Sequence, residues 1–130
     1  MGGYVALKML EMQDVKNLIL FAPAVYDRKA FGLSFDNGFT EAIRRPGSWR
    51  DSDVFLSLEK FTGNLLLFIG KQDEAIPRGV IDLIDLHSPK TAKKDIIMFD
   101  RCSHNIGDWL TEHPAGKKIV TQKIAEYYLS

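Results

Sequence analysis

Two short polar stretches carry the residue types that proton transfer requires. One is Gly70-Lys71-Gln72-Asp73-Glu74-Ala75-Ile76-Pro77 and the other Cys102-Ser103-His104-Asn105, each just beyond the end of an apolar run. A carboxylate beside an imidazole has a definite use. It accepts the Nδ1 proton, fixes the tautomer, and stabilises the imidazolium formed when Nε2 takes a proton. The histidine then works as a general base near neutral pH. Asp73 and His104 are the candidates for this pair, and Glu74 is the less favoured acid. The pair moves protons only, so acyl transfer would also need a nucleophile.

The other reactive types read more plainly. Cys102 would make a substitute nucleophile if its thiolate faced the imidazole. A side chain two residues before a His does not generally reach that ring productively, so the expected role is a small apolar residue packed behind the loop. Ser103 meets the same objection, and Ser34, Ser48 and Ser57 read as turn or cap residues. His87 and His113 flank Pro-containing helix ends without metal-ligand spacing, so no metal is assigned. Gly2-Gly3 lacks the G-x-G-x-x-G pattern, and no cofactor is expected.

The elements that would position Asp73 and His104 can be read from the hydrophobic pattern. Asn17 to Phe21, Leu65 to Ile69 and Ile96 to Phe99 are short apolar runs without alternation, which suits strands of a parallel sheet buried on both faces. Gly3 to Met12 reads as a helix apolar almost all round, hence buried. Pro77 to His87 opens with Pro at a first helical position and carries a broad apolar face. Pro114 to Tyr128 places Ile119, Val120, Ile124 and Tyr127 at helical spacing. Strands alternating with helices imply right-handed crossovers and an α/β fold. Ligands bind at the carboxyl ends of strands in such sheets, which is where Asp73 and His104 fall. Tyr26 to Thr62 is the exception. It is rich in Phe and Trp, broken by Gly and Pro, and reads as a cap-like insertion of short helices. Its aromatics either line an acyl pocket or fasten the insertion to the sheet.

Gly-x-x-Asp-x-x-Ile-Pro after one strand, then a helix, a strand and Ser-His-Asn, resembles the second half of the α/β-hydrolase family. There the chain order is Ser, then Asp or Glu, then His, with Ser in a G-x-S-x-G elbow. The resemblance covers essentially all 130 residues. It implies Asp73 as triad acid and His104 as triad base. The elbow often runs on as Ser-Met-Gly-Gly-Tyr, so Met1-Gly2-Gly3-Tyr4 corresponds to the residues just after the nucleophile. Met1 then takes the position whose backbone N–H is the first oxyanion donor. No G-x-S-x-G occurs in this sequence. The expectation is a partial α/β-hydrolase domain over residues 1–130, truncated just after the serine, with an insertion at about 26–62. Its parent reaction would be hydrolysis of carboxylic esters or thioesters, and it would be inactive alone. The alternatives are a non-catalytic binding or assembly protein on the half-fold, or a hydrolase using Cys102. The resemblance leaves Asn17 to Phe21 without the strand it would pair with. The expected partner is a second copy through this edge, giving a homodimer, or a complementing N-terminal half.

Bulk composition agrees with a globular chain: 45% hydrophobic and 26% charged residues. Lys+Arg and Asp+Glu are both 17, so no field of one sign argues for nucleic acid or an anionic membrane. No apolar run approaches the ~20 residues that span a bilayer. A lone cysteine rules out an internal disulfide and suits a cytoplasmic setting.

Overall fold

A computed structural model describes residues 2–26 and 47–129. In chain order these form α1 (Gly2–Met9), β1 (Asn17–Phe21), a 3-10 turn η1 (Ser48–Asp51), α2 (Val54–Lys60), β2 (Asn64–Gly70), α3 (Arg78–Leu86), β3 (Lys93–Phe99), α4 (Ile106–Glu112) and α5 (Pro114–Leu129). The expected insertion at about 26–62 lies in part outside the described residues. Its described end carries η1 and α2. The described residues group into two compact units, one of residues 2–13, 23–26, 47–61 and 78–89, the other of 14–22, 62–77 and 90–129.

The second unit holds a three-stranded parallel sheet in the order β1-β2-β3, with flanking helices. Every residue of β2 is buried, as expected for a continuous apolar run in the middle of a parallel sheet. The same expectation fails for its neighbours. In β1 only Leu18 and Leu20 are buried and Phe21 is 45% exposed. In β3 only Phe99 is buried. Each is an edge strand among the described residues. That position also explains why β3 starts three residues before the expected Ile96: an edge accommodates Lys93, Lys94 and Asp95.

On one face of the sheet, Leu66, Phe68 and Phe99 pack with Ile106 of α4 and Val120 and Tyr127 of α5. Tyr127 is fully buried, and its hydroxyl points its one proton at Asp95 Oδ2 (2.8 Å), with the Leu65 carbonyl oxygen also within reach at 3.2 Å. A phenol that deep needs such partners, since an unpaired buried hydroxyl costs about 1–3 kcal/mol. Lys93 sits over the Tyr127 ring at 4.7 Å. Gly116 lets α5 close on α4, because a Cβ there would lie 2.4 Å from the Trp109 ring.

The first unit is helical. Its α1 ends at Met9, short of the expected Met12, because the chain tightens into i→i+3 bonds: Leu10 N–H to Leu7 (3.2 Å) and Glu11 N–H to Lys8 (3.1 Å). Nor is α1 buried all round. Tyr4 and Leu7, three residues apart, form its buried face, while Val5 is 47% exposed. Lys8 ties α1 to the start of α2 through Asp53 (2.7 Å) and also bonds Glu11 (2.8 Å). The Tyr4 hydroxyl donates to the same Asp53 carboxylate at 3.3 Å. Gly79 of α3 is backed by Trp49, whose ring would lie 2.4 Å from a Cβ.

Two tyrosines make folding sensitive to alkali. Burial, followed by the Asp53 charge, pushes the Tyr4 phenol from 10.0 up to about 12. Burial and the Asp95 bond push Tyr127 up as well. Because the folded state holds these protons more tightly, their contribution is whole below pH 10 and is lost as pH rises through the folded value. The urea midpoint should therefore fall between about pH 10 and 12. In Tyr127→Phe, stability at pH 7 should drop by about 1–3 kcal/mol and the alkaline fall should shrink. An unchanged alkaline profile in both Tyr4→Phe and Tyr127→Phe would contradict this assignment.

Candidate active site

Gly70 ends β2, and the path of the chain beyond it is dictated by how closely the loop after β3 approaches. A Cβ on Gly70 would stand 2.3 Å from the Cys102 carbonyl oxygen and 2.4 Å from that of Ser103. Glycine alone allows this contact. The two loops are then laced by backbone bonds: Lys71 N–H to Phe99 (3.0 Å) and Gln72 N–H to Cys102 (2.9 Å). The Lys71 ammonium adds an exposed ion pair with Asp100 at 2.7 Å, which holds that carboxyl below its usual range. After β3 the chain turns through Arg101 at φ +53°, an unusual value for a residue with a side chain. Trp109 Nε1–H holds that turn by donating to the Arg101 carbonyl at 3.1 Å.

This framework brings Asp73 and His104 together. His104 Nδ1 lies 2.9 Å from Asp73 Oδ2. The Asp73 side chain is 3% exposed and that of His104 51%. The other carboxylate oxygen, Oδ1, accepts the N–H groups of Ala75 (2.8 Å) and Ile76 (3.0 Å). Asp73 is thus fixed from three directions, with only Oδ2 left for an imidazole. His104 is fixed from behind, since the chain enters α4 directly after it. Asn105 caps that helix, accepting the Asp108 N–H at 3.3 Å and donating to the Asp108 carboxylate at 2.7 Å. Sequence reasoning missed α4, although Asn105 with Asp108 three residues later is a recognisable cap and Ile106, Trp109 and Leu110 are spaced as one face.

The pair borders an open depression of about 940 Å³ lined by residues 71–75 and 103–105. Among the described residues nothing bonds His104 Nε2, and the ring is half-exposed. In the tautomer that donates Nδ1–H to Asp73, Nε2 is the basic nitrogen and faces a group entering from solvent.

The remaining candidates fall elsewhere. Met1, assigned to the oxyanion position, lies outside the described residues, as does Ser34. Cys102 is fully buried in the core with Leu66, Phe68 and Phe99. Its sulfur faces the Ser103 carbonyl at 3.4 Å. Burial, and next the negative charge of Asp73, push its thiol up, which disfavours the nucleophilic thiolate. Glu74 lines the depression and forms no hydrogen bond or ion pair with His104. His87 bonds Glu59 at 2.8 Å and stacks on Phe55 within the first unit. His113 lies flat on Trp109, centroids 4.0 Å apart. The described residues contain no cluster of three or more metal-binding side chains, and none of their helices is long and apolar enough to cross a membrane.

No family model matches the chain, and no curated protein matches its sequence. Solved structures do. A puromycin-hydrolysing peptidase of Mycobacterium tuberculosis aligns at TM-score 0.55 and 18% identity over 79% of this chain and 17% of its own. A puromycin hydrolase aligns at TM-score 0.54 and 21% identity over the same shares. Both neighbours are α/β-hydrolase-fold proteins, and the likeness extends to the fold. The chain therefore has a partial α/β-hydrolase fold, and it spans 17% of the length of the structures it resembles.

Gly70→Ala should cost about 3 kcal/mol, because the added methyl meets backbone rather than a yielding side chain. It should also part the two loops, seen as loss of amide-exchange protection at Gln72. Protection and stability equal to the parent chain would refute the close approach.

Proposed function

We propose that this chain is a portion of a hydrolase that supplies the acid and the base of a Ser–Asp–His relay, and that it is inactive without a nucleophile from another segment. The observation that carries this reading is the His104 Nδ1–Asp73 Oδ2 bond of 2.9 Å, made by a carboxylate whose other oxygen is already held by two backbone N–H groups. In the proposed reaction His104 Nε2 removes the proton from an attacking serine hydroxyl as that oxygen adds to the acyl carbon. Asp73 steadies the imidazolium. The proton then passes to the leaving oxygen, sulfur or nitrogen, and the acyl-enzyme is hydrolysed by the same steps with water in place of serine. The reactions proposed are hydrolysis of carboxylic esters or thioesters. The solved neighbours, one named as a peptidase, add amides to the range. The buried, proton-retaining Cys102 speaks against the reading in which it replaces the serine.

The partner is proposed on the same grounds. The outer edge of β1 is unpaired among the described residues, and Phe21 at its end is exposed. A complementing segment bearing the elbow serine, or a second copy of the chain forming a homodimer, would cover it. The lone free thiol supports a reducing, cytoplasmic setting.

The purified chain should hydrolyse short p-nitrophenyl esters no faster than its His104→Ala variant. Joined to an N-terminal hydrolase half that carries a G-x-S-x-G elbow, it should gain activity, and Asp73→Asn should remove about 10⁴-fold of kcat. Turnover by the chain alone that depends on His104, or a complemented activity indifferent to Asp73 and His104, would overturn the proposal.

A further inference from the structure

The charges around the His104 depression do not cancel. Lys71, the cation among the lining side chains apart from His104 itself, is paired with Asp100 at 2.7 Å in an exposed ion pair. Asp73 is engaged by His104 and by the Ala75 and Ile76 N–H groups. Asn105, also in the lining, is taken up by Asp108 at the start of α4. Glu74 is different: it lines the same depression, is exposed, and forms no hydrogen bond or ion pair among the described residues. Gln72 and Ser103 complete the polar lining without adding charge.

We infer that Glu74 sets the substrate class of this site, favouring a substrate that carries a cationic group, such as a free amine, near the bond to be cleaved. The inference rests on the reading of the depression as a hydrolase site. An anionic substrate would enter beside the Asp73 and Glu74 carboxylates, with Lys71 already paired and His104 turned to Asp73. A cationic substrate instead meets a carboxylate that has no ion pair to break, at a rim where water still reaches it and desolvation costs little. Proximity also matters. Glu74 is bonded directly to Asp73, and the Asp73 side chain is locked by its three bonds, so the Glu74 backbone is held at a fixed place beside the acid.

The test compares three small probes at pH 6.5: alaninamide, which is protonated, N-acetylalaninamide, which is neutral, and N-succinylalaninamide, which is anionic. Binding is read from the His104 ring resonances of the intact chain. Alaninamide should bind at least fivefold more tightly than the acetyl compound, and the succinyl compound most weakly. In Glu74→Gln the fivefold advantage should shrink to less than twofold. Equal affinities, an advantage that survives Glu74→Gln, or no saturable shift with alaninamide would overturn the inference. Failure of the underlying hydrolase reading is seen separately, in the complemented protein acting on a neutral p-nitrophenyl ester, which makes no use of Glu74. Absence of that activity sinks the reading, while its presence without a cation preference sinks the inference alone.

Discussion

The contact of Gly70 with the Cys102 and Ser103 carbonyls is the constraint on which the rest of the site depends. It sits at the carboxyl end of the central strand, where the backbone of the loop after β3 comes closer than any Cβ would allow. Once the two loops touch, the Gln72 N–H reaches Cys102 and the chain is committed to a tight turn through Arg101. Asp73 and His104 then have little choice of position. Their hydrogen bond has an ordinary length of 2.9 Å, and it falls on Oδ2 because Asp73 Oδ1 is already occupied. Strain at Arg101 fits this account. An uncommon backbone conformation persists only where the surroundings over-determine it, and such residues cluster at functional sites.

Around that point the energetics are those of a parallel sheet. The β2 strand is buried throughout, so each of its apolar side chains from Leu65 to Ile69 is removed from water. Tyr127 secures α5 to the sheet through its buried ring and a hydroxyl that reaches Asp95 Oδ2 and the Leu65 carbonyl. Aromatic rings run from Phe21 through Phe68 and Phe99 to Trp109, at centroid distances of 4.9, 6.1 and 5.0 Å. They join the exposed edge of β1 to the helix directly after His104. The two loops that carry Asp73 and His104 are thus anchored to the central strand and to α4, which favours a fixed orientation of the pair.

Much of this is legible in the amino-acid sequence. Leu65 to Ile69 reads as a buried strand because no polar residue interrupts it, and the side-by-side placement of Asp73 and His104 comes from two consecutive strand ends. The illegible parts are positions that depend on neighbours. Leu18-Ile19-Leu20-Phe21 has the pattern of a strand buried on both faces, yet Phe21 is half-exposed, because a sequence does not say which strand lies at an edge. The charged start of β3 hides three strand residues for the same reason. Val5 and Met9 give α1 an all-round apolar look, though only Tyr4 and Leu7 are buried. The role of Gly70 is invisible, since one glycine at a strand end is ordinary until the partner backbone is seen. Helix α4 escapes notice for its brevity, although its Asn105 cap is there to be read.

The claim that Asp73 orients His104 for proton transfer is tested most directly by the tautomer of that ring. Long-range ¹H–¹⁵N correlation on the histidine-labelled chain shows which nitrogen of the neutral imidazole carries the proton. The account predicts the Nδ1–H form for His104, with Nε2 bare, and a change to the Nε2–H form in Asp73→Asn as the fixed acceptor is lost. An Nε2–H tautomer in the parent chain, or a tautomer indifferent to Asp73, would contradict it.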